Sequence, residues 1–171
     1  MTRMFLYQAA RCELTACLKQ DAFDFAVLDR YAADYYAYGI PSFMKAVHAE
    51  TEEERHRQAR RLASVLLEIG GTIQPDIGVF LFVEIGLALK RWQQVSGGKP
   101  DVYERQGEKE LQRVQNVYRD ILLNPSDYPF TGKVKISVPM LTEETAETWT
   151  PAHVHNLIWA ELTDRLEDQD E

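Results

Sequence analysis

The sequence predicts a mainly α fold, a compact bundle of about six helices with a minor β element near residues 133–138. Three observations predict it. Apolar residues recur at three- and four-residue spacing along most of the chain. Glycine and proline mark where most of those stretches stop. Only residues 133–138 alternate between apolar and polar, with Val134, Ile136 and Val138 set against Lys133, Lys135 and Ser137.

A chain of 171 residues is read as a single helical domain, its last few residues frayed. It is long enough to bury a core without disulfides or a structural metal. Residues 3–19 form the first predicted helix, on the stripe Phe5, Ala9, Cys12 and Ala16. Residues 21–38 form the second, on Phe23, Val27, Tyr31, Tyr35 and Tyr38, with Gly39 and Pro41 ending it and opening a short helix over 41–49.

Thr51 reads as a helix N-cap, with Glu54 completing a capping box three residues later. Leu62, Ala63, Leu66 and Ile69 are the predicted buried face of the helix that follows. Gly70 or Gly71 supplies its left-handed C-cap residue. Residues 77–89 are the most apolar run and are read as a buried central helix reaching Val95. Its β-branched and aromatic start (Val79, Phe80, Phe82, Val83) allows a strand instead. Thirteen residues are too few to span a membrane, which takes about 20.

Residues 101–124 predict another helix, weakened early by Gly107 and ended by Pro125. Its stripe is Leu111, Val114, Val117, Tyr118, Ile121 and Leu122. Pro139 is expected to end the strand. Thr150 and Pro151 then open the last helix, whose inward residues are Val154, Leu157, Ile158, Leu162 and Leu166. A lone strand must find a partner, either the Val79 segment, the same strand of a second subunit, or another protein's edge.

The net charge of −8 favours solubility and opposes nonspecific nucleic-acid binding, which depends on neutralising phosphates. The charge is uneven: from Glu143 onward there are nine acids and one base, and from Arg55 to Arg61 four bases and no acid. Cys12 and Cys17 diverge by more than a quarter turn on a helix, form no CxxC pair and read as reduced thiols. With no secretory signal evident, the expected compartment is the cytoplasm.

The densest chemistry lies in ETEEERHRQARR, residues 50–61. Glu53 and His56 make a Glu-x-x-His step, which sets two potential metal ligands on one helix face. Glu50 adds a third oxygen one turn earlier, and Glu84 or Glu13 a ligand from elsewhere. The run from Glu53 to Gly71 resembles the second helix of ferritin-like proteins, a likeness covering about twenty of the 171 residues. It implies an iron, manganese or zinc site. The pattern departs from that family in having no second Glu-x-x-His. The plainer reading is a capped, solvated helix, its first-turn acids complementing the helix dipole and its arginines pairing one turn apart.

Other residues suggest contacts. Tyr31, Tyr35, Tyr36 and Tyr38 crowd into eight positions, more than one core face needs, and tyrosine is favoured at interfaces. Trp149 and Trp159 bracket His153 and His155. Glu84, alone in an apolar run, would be expensive if buried and ionised. No G-x-S-x-G and no P-loop occurs. The expected function is therefore that of a small acidic intracellular interaction or regulatory protein, acting through protein–protein contacts and self-association, without catalysis of its own. The alternatives are the metal protein above and an acidic binder of a basic or nucleic-acid-binding partner.

Overall fold

A computed structural model describes residues 26–28, 31–95, 107–145 and 149–167. The helix predicted over 3–19, with Glu13 and both cysteines, lies outside the described residues. The fold is mostly helical, with a small two-stranded parallel sheet. Its elements run α1 (Ala32–Phe43), α2 (Glu52–Ile69), β1 (Ile77–Val83), α3 (Ile85–Val95), α4 (Glu108–Leu123), a 3-10 turn (Pro125–Asp127), β2 (Val134–Leu141) and α5 (Pro151–Glu167). Among the described residues no helix is long and apolar enough to cross a membrane.

The chain divides into two compact units. The first comprises the described residues up to Asp76 together with Val117–Lys133. The second comprises Ile77–Asn116 and the described residues from Val134 on. The boundary falls within α4, so each unit holds part of that helix.

In the first unit α1 packs on α2. The start expected at residue 21 lies outside the described residues, and the end differs from expectation because Gly39 and Pro41 lie inside the helix and are buried. An interior proline forfeits a backbone hydrogen bond and costs about 3 kcal/mol. Burial of Tyr35, Tyr36, Ile40 and Phe43 along one face outweighs that local preference. The short helix expected over 41–49 reduces to the end of α1 and a turn, with Met44 N–H bonding Ile40 O at 2.9 Å.

α2 starts at the expected N-cap, but the capping box is only half formed, because the Glu54 carboxylate accepts from Arg57 and Gln58 instead of reaching back to Thr51. Thr51 is extended, and its Oγ1 accepts the Glu54 N–H at 3.1 Å. At the far end Gly71 adopts φ of 65°. Gly71 N–H bonds Glu68 O at 2.9 Å and Thr72 N–H bonds Leu67 O at 3.0 Å, the two bonds of a Schellman cap. The buried face is Ala59, Ala63 and Leu67; of the expected line Ala63 is buried, whereas Leu62 and Leu66 are half-buried and Ile69 is exposed. Val117 and Ile121 of α4, with Tyr128, complete this core.

In the second unit, the segment expected as a central helix splits into β1 and α3. Its strand-forming start takes the strand alternative and pairs with β2, the first of the partners the sequence offered. β1 and β2 pair in parallel, Val79 with Ile136 and Leu81 with Val138. Pro139 does not end β2. Val83 pairs with Leu141, so β2 carries one extra residue at Pro139 and Met140, a bulge that accommodates the missing donor.

The two strands bury opposite faces. Phe80 and Phe82 are buried on β1, where Val79 and Leu81 are exposed, and Ile136 and Val138 are buried on β2, where Ser137 is exposed. Since paired residues share a face, buried Ile136 and Val138 stand beside exposed Val79 and Leu81, and buried Phe80 beside exposed Ser137. α5 packs against β2. Its cap is as predicted, His153 N–H bonding Thr150 Oγ1 at 3.2 Å. Val154, Leu157, Ile158 and Leu162 are half-buried on it.

Candidate functional site

α2 presents two faces that differ in chemistry. On the inner side, His56, Arg60 and Ser64 follow one another at four-residue intervals, which stacks them along one stripe. Around Arg60 the first unit gathers a cluster of polar groups. Arg60 Nη2 lies 2.7 Å from Asp127 Oδ2 and Nη1 lies 3.5 Å from Asp120 Oδ2. The guanidinium carbon lies 5.3 Å from the ring centre of Tyr128, within cation–π range. The Tyr128 hydroxyl and Asn124 Nδ2 both donate to Asp120. Tyr36 Oη and Ser64 Oγ share a hydrogen bond of 2.9 Å, and Ser64 Oγ donates to Arg60 O at 3.2 Å. Tyr36 and Tyr128 meet edge to face at 5.0 Å. A little apart, Tyr118 donates to Asp34.

The electrostatics follow from burial. Desolvation pushes the Tyr36 phenol up to about 12, against the smaller opposing effects of Ser64 and Arg60. It also raises Tyr128, with the bond to Asp120 adding to the rise. His56 is pushed down, chiefly by burial and then by the Arg60 charge, while Asp120 and Glu52 pull the other way. At neutral pH both phenols are therefore neutral and His56 favours its uncharged form. The cluster's donors and acceptors engage one another. It ties α1, α2, the end of α4 and the 3-10 turn together.

The outer side of α2 is apolar in its second half. Leu62, Val65, Leu66 and Ile69 lie at three- and four-residue spacing. Ile69 is 78% exposed and Val65 40%, with Leu62 and Leu66 half-buried between them. Arg61 and Glu68, both exposed, flank this stripe.

The residues expected from sequence fall as follows. Glu50 and Glu53 are exposed at the start of α2, and His56 is half-buried beside Arg60. Glu84 is not buried in an apolar helix. It is exposed between β1 and α3, where its N–H bonds Leu141 O at 2.8 Å and its Oε2 accepts the Glu143 N–H at 3.2 Å. Solvent therefore reaches its carboxylate. Among the described residues no group of three His, Cys, Asp or Glu side chains could hold a metal ion.

Tyr35 and Tyr36, expected at an interface, are buried in this chain's own core. Tyr31 and Tyr38 are half-buried. Tyr31 Oη accepts the Ile73 N–H at 3.2 Å. Trp149 is half-buried with its ring 5.3 Å from that of His153, and Trp159 is exposed and stacked with His155. The Arg60 cluster escaped the sequence reading because its members are far apart along the chain. Comparison with protein-family models, with curated proteins and with solved structures found no match to this chain.

Proposed function

We propose that this is an interaction protein, small and acidic, which acts through protein–protein contacts made by the outer face of α2. One observation carries the reading: four large aliphatic residues form a continuous stripe there, and its end residue, Ile69, is 78% exposed. Leaving an Ile side chain in water instead of burying it forgoes about 1.5–3 kcal/mol. Single exposed apolar residues are ordinary, whereas contiguous ones mark binding surfaces. The polar cluster on the inner side serves this surface by holding α2 rigidly on α1.

The test compares the wild-type chain, immobilised, with the double substitution Val65→Asp and Ile69→Asp. Both positions are on the solvent side, so the helix content should persist by circular dichroism. The expected result is a protein retained by the wild type and lost by the variant. Identical retention by the two would sink the reading.

A further inference from the structure

We infer that the protein seated on this face is a second copy of the chain, its α2 running antiparallel to the first about a two-fold axis close to Val65. The inference rests on the interaction reading above and names the partner for that surface. A two-fold contact requires a self-complementary patch. The outer face of α2 meets that requirement in shape and in charge.

In shape, Leu62 and Ile69 are seven residues apart, with Val65 between them. This is the a, d, a spacing of a helix–helix seam. In an antiparallel pair, Leu62 of one copy fits between Val65 and Ile69 of the other. The same holds in reverse, so the apolar stripe covers itself.

In charge, Arg61 and Glu68 are also seven residues apart. Seven steps of 100° return to within about 20°, so both lie on the same flank of the stripe. They stand about 10.5 Å apart along the axis, too far to pair within one helix. Neither side chain has an ion-pair partner among the described residues. An antiparallel arrangement brings Arg61 of each copy beside Glu68 of the other, forming two cross-pairs. In a parallel two-fold pair this flank of each helix would lie on opposite sides of the seam, so Arg61 and Glu68 of one copy would not meet those of the other. The charge order therefore selects the antiparallel partner, and a second copy supplies the complementary order automatically.

Sedimentation velocity on the full chain tests this over a range from low to high micromolar concentration. The wild type should pass from 19.7 kDa toward twice that mass as concentration rises. Arg61→Glu alone and Glu68→Arg alone should each weaken the association about tenfold, since each replaces attraction by repulsion at both cross-pairs. Mixing the two single variants should restore it as a heterodimer, because their charges then complement. The double variant R61E/E68R should restore the homodimer. Both positions are exposed, and unchanged circular dichroism would show that each variant is folded.

A wild type that stays monomeric throughout would overturn the inference. So would single variants that associate no better mixed than apart. A monomeric wild type that still captures another protein, lost on Val65→Asp and Ile69→Asp, would overturn self-pairing while leaving the interaction reading intact.

Discussion

The guanidinium of Arg60 lies over the ring of Tyr128, 5.3 Å from its centre, while bonding Asp127 at 2.7 Å. One side chain of α2 thereby holds the turn that follows α4. Its side chain is only 18% exposed, so the pairing is better shielded than a surface salt bridge. Arg60→Ala would remove the ion-pair partner of Asp127, take one of the three contacts from Asp120 and uncover the Tyr128 ring. A loss of about 1–3 kcal/mol is expected, read as a lower urea midpoint. Arg60→Lys should recover only part of it, because an ammonium cannot fork between two carboxylates and stack on the ring together.

Tyr36→Phe removes the hydroxyl shared with Ser64 and should lower stability by about 0.5–1.5 kcal/mol at neutral pH. It should also alter the alkaline limb. The buried phenol is pushed up to about 12, above its ordinary value near 10. Above pH 10 the unfolded chain releases this proton first. Tyr36 therefore contributes stability fully present below about pH 10 and lost by about pH 12. Thermal melts of the Phe variant should show a shallower decline across that window, and an unchanged slope would count against the buried placement.

His56 sets a trend on the acidic side. Its folded value is held below the ordinary 6.5, chiefly by burial and the Arg60 charge. As pH falls through about 6.5 the unfolded chain takes up a proton that the folded chain resists. Stability contributed by neutral His56 is present above that point and declines below it. His56→Gln should flatten the dependence between about pH 5.5 and 7.5, measured by denaturant titration at each pH.

Gly71 closes α2 with φ of 65°. No atom would contact an added Cβ there, so the penalty of Gly71→Ala is conformational alone. A loss of about 1–2 kcal/mol is expected, with the mutant still folded. An unchanged thermal midpoint would mean that the Schellman cap does not form.

Thr72, next in the chain, is buried, and its Oγ1 has no hydrogen-bond partner among the described residues. Thr72→Val keeps the shape and removes the unsatisfied hydroxyl. It should raise stability by about 1 kcal/mol. A destabilised variant would show that the hydroxyl has a partner.

The features legible along the chain were local ones. Thr51 and Thr150 were readable as caps because the bond each makes reaches only three residues along the chain. The Gly70–Gly71 stop was readable for the same reason, as was the alternation of Val134, Ile136 and Val138. The stripe of α4 was legible from period alone, since Val114, Val117 and Ile121 are buried where the spacing put them.

Only the tertiary structure decided between alternatives that local physics leaves balanced. Val79 and its neighbours become a strand because β2 offers hydrogen-bond partners more than fifty residues away. Gly39 and Pro41 stay helical because burial of the α1 aromatics outweighs their helix-breaking tendency. α2 turns Ala59, Ala63 and Leu67 inward and leaves Ile69 in water, in a unit where α1 packs on it. The expected line of Leu62, Ala63, Leu66 and Ile69 shares only Ala63 with the buried face. Arg60, Asp120 and Asp127 meet because folding brings the turn after α4 to α2, and no spacing along the chain records that encounter.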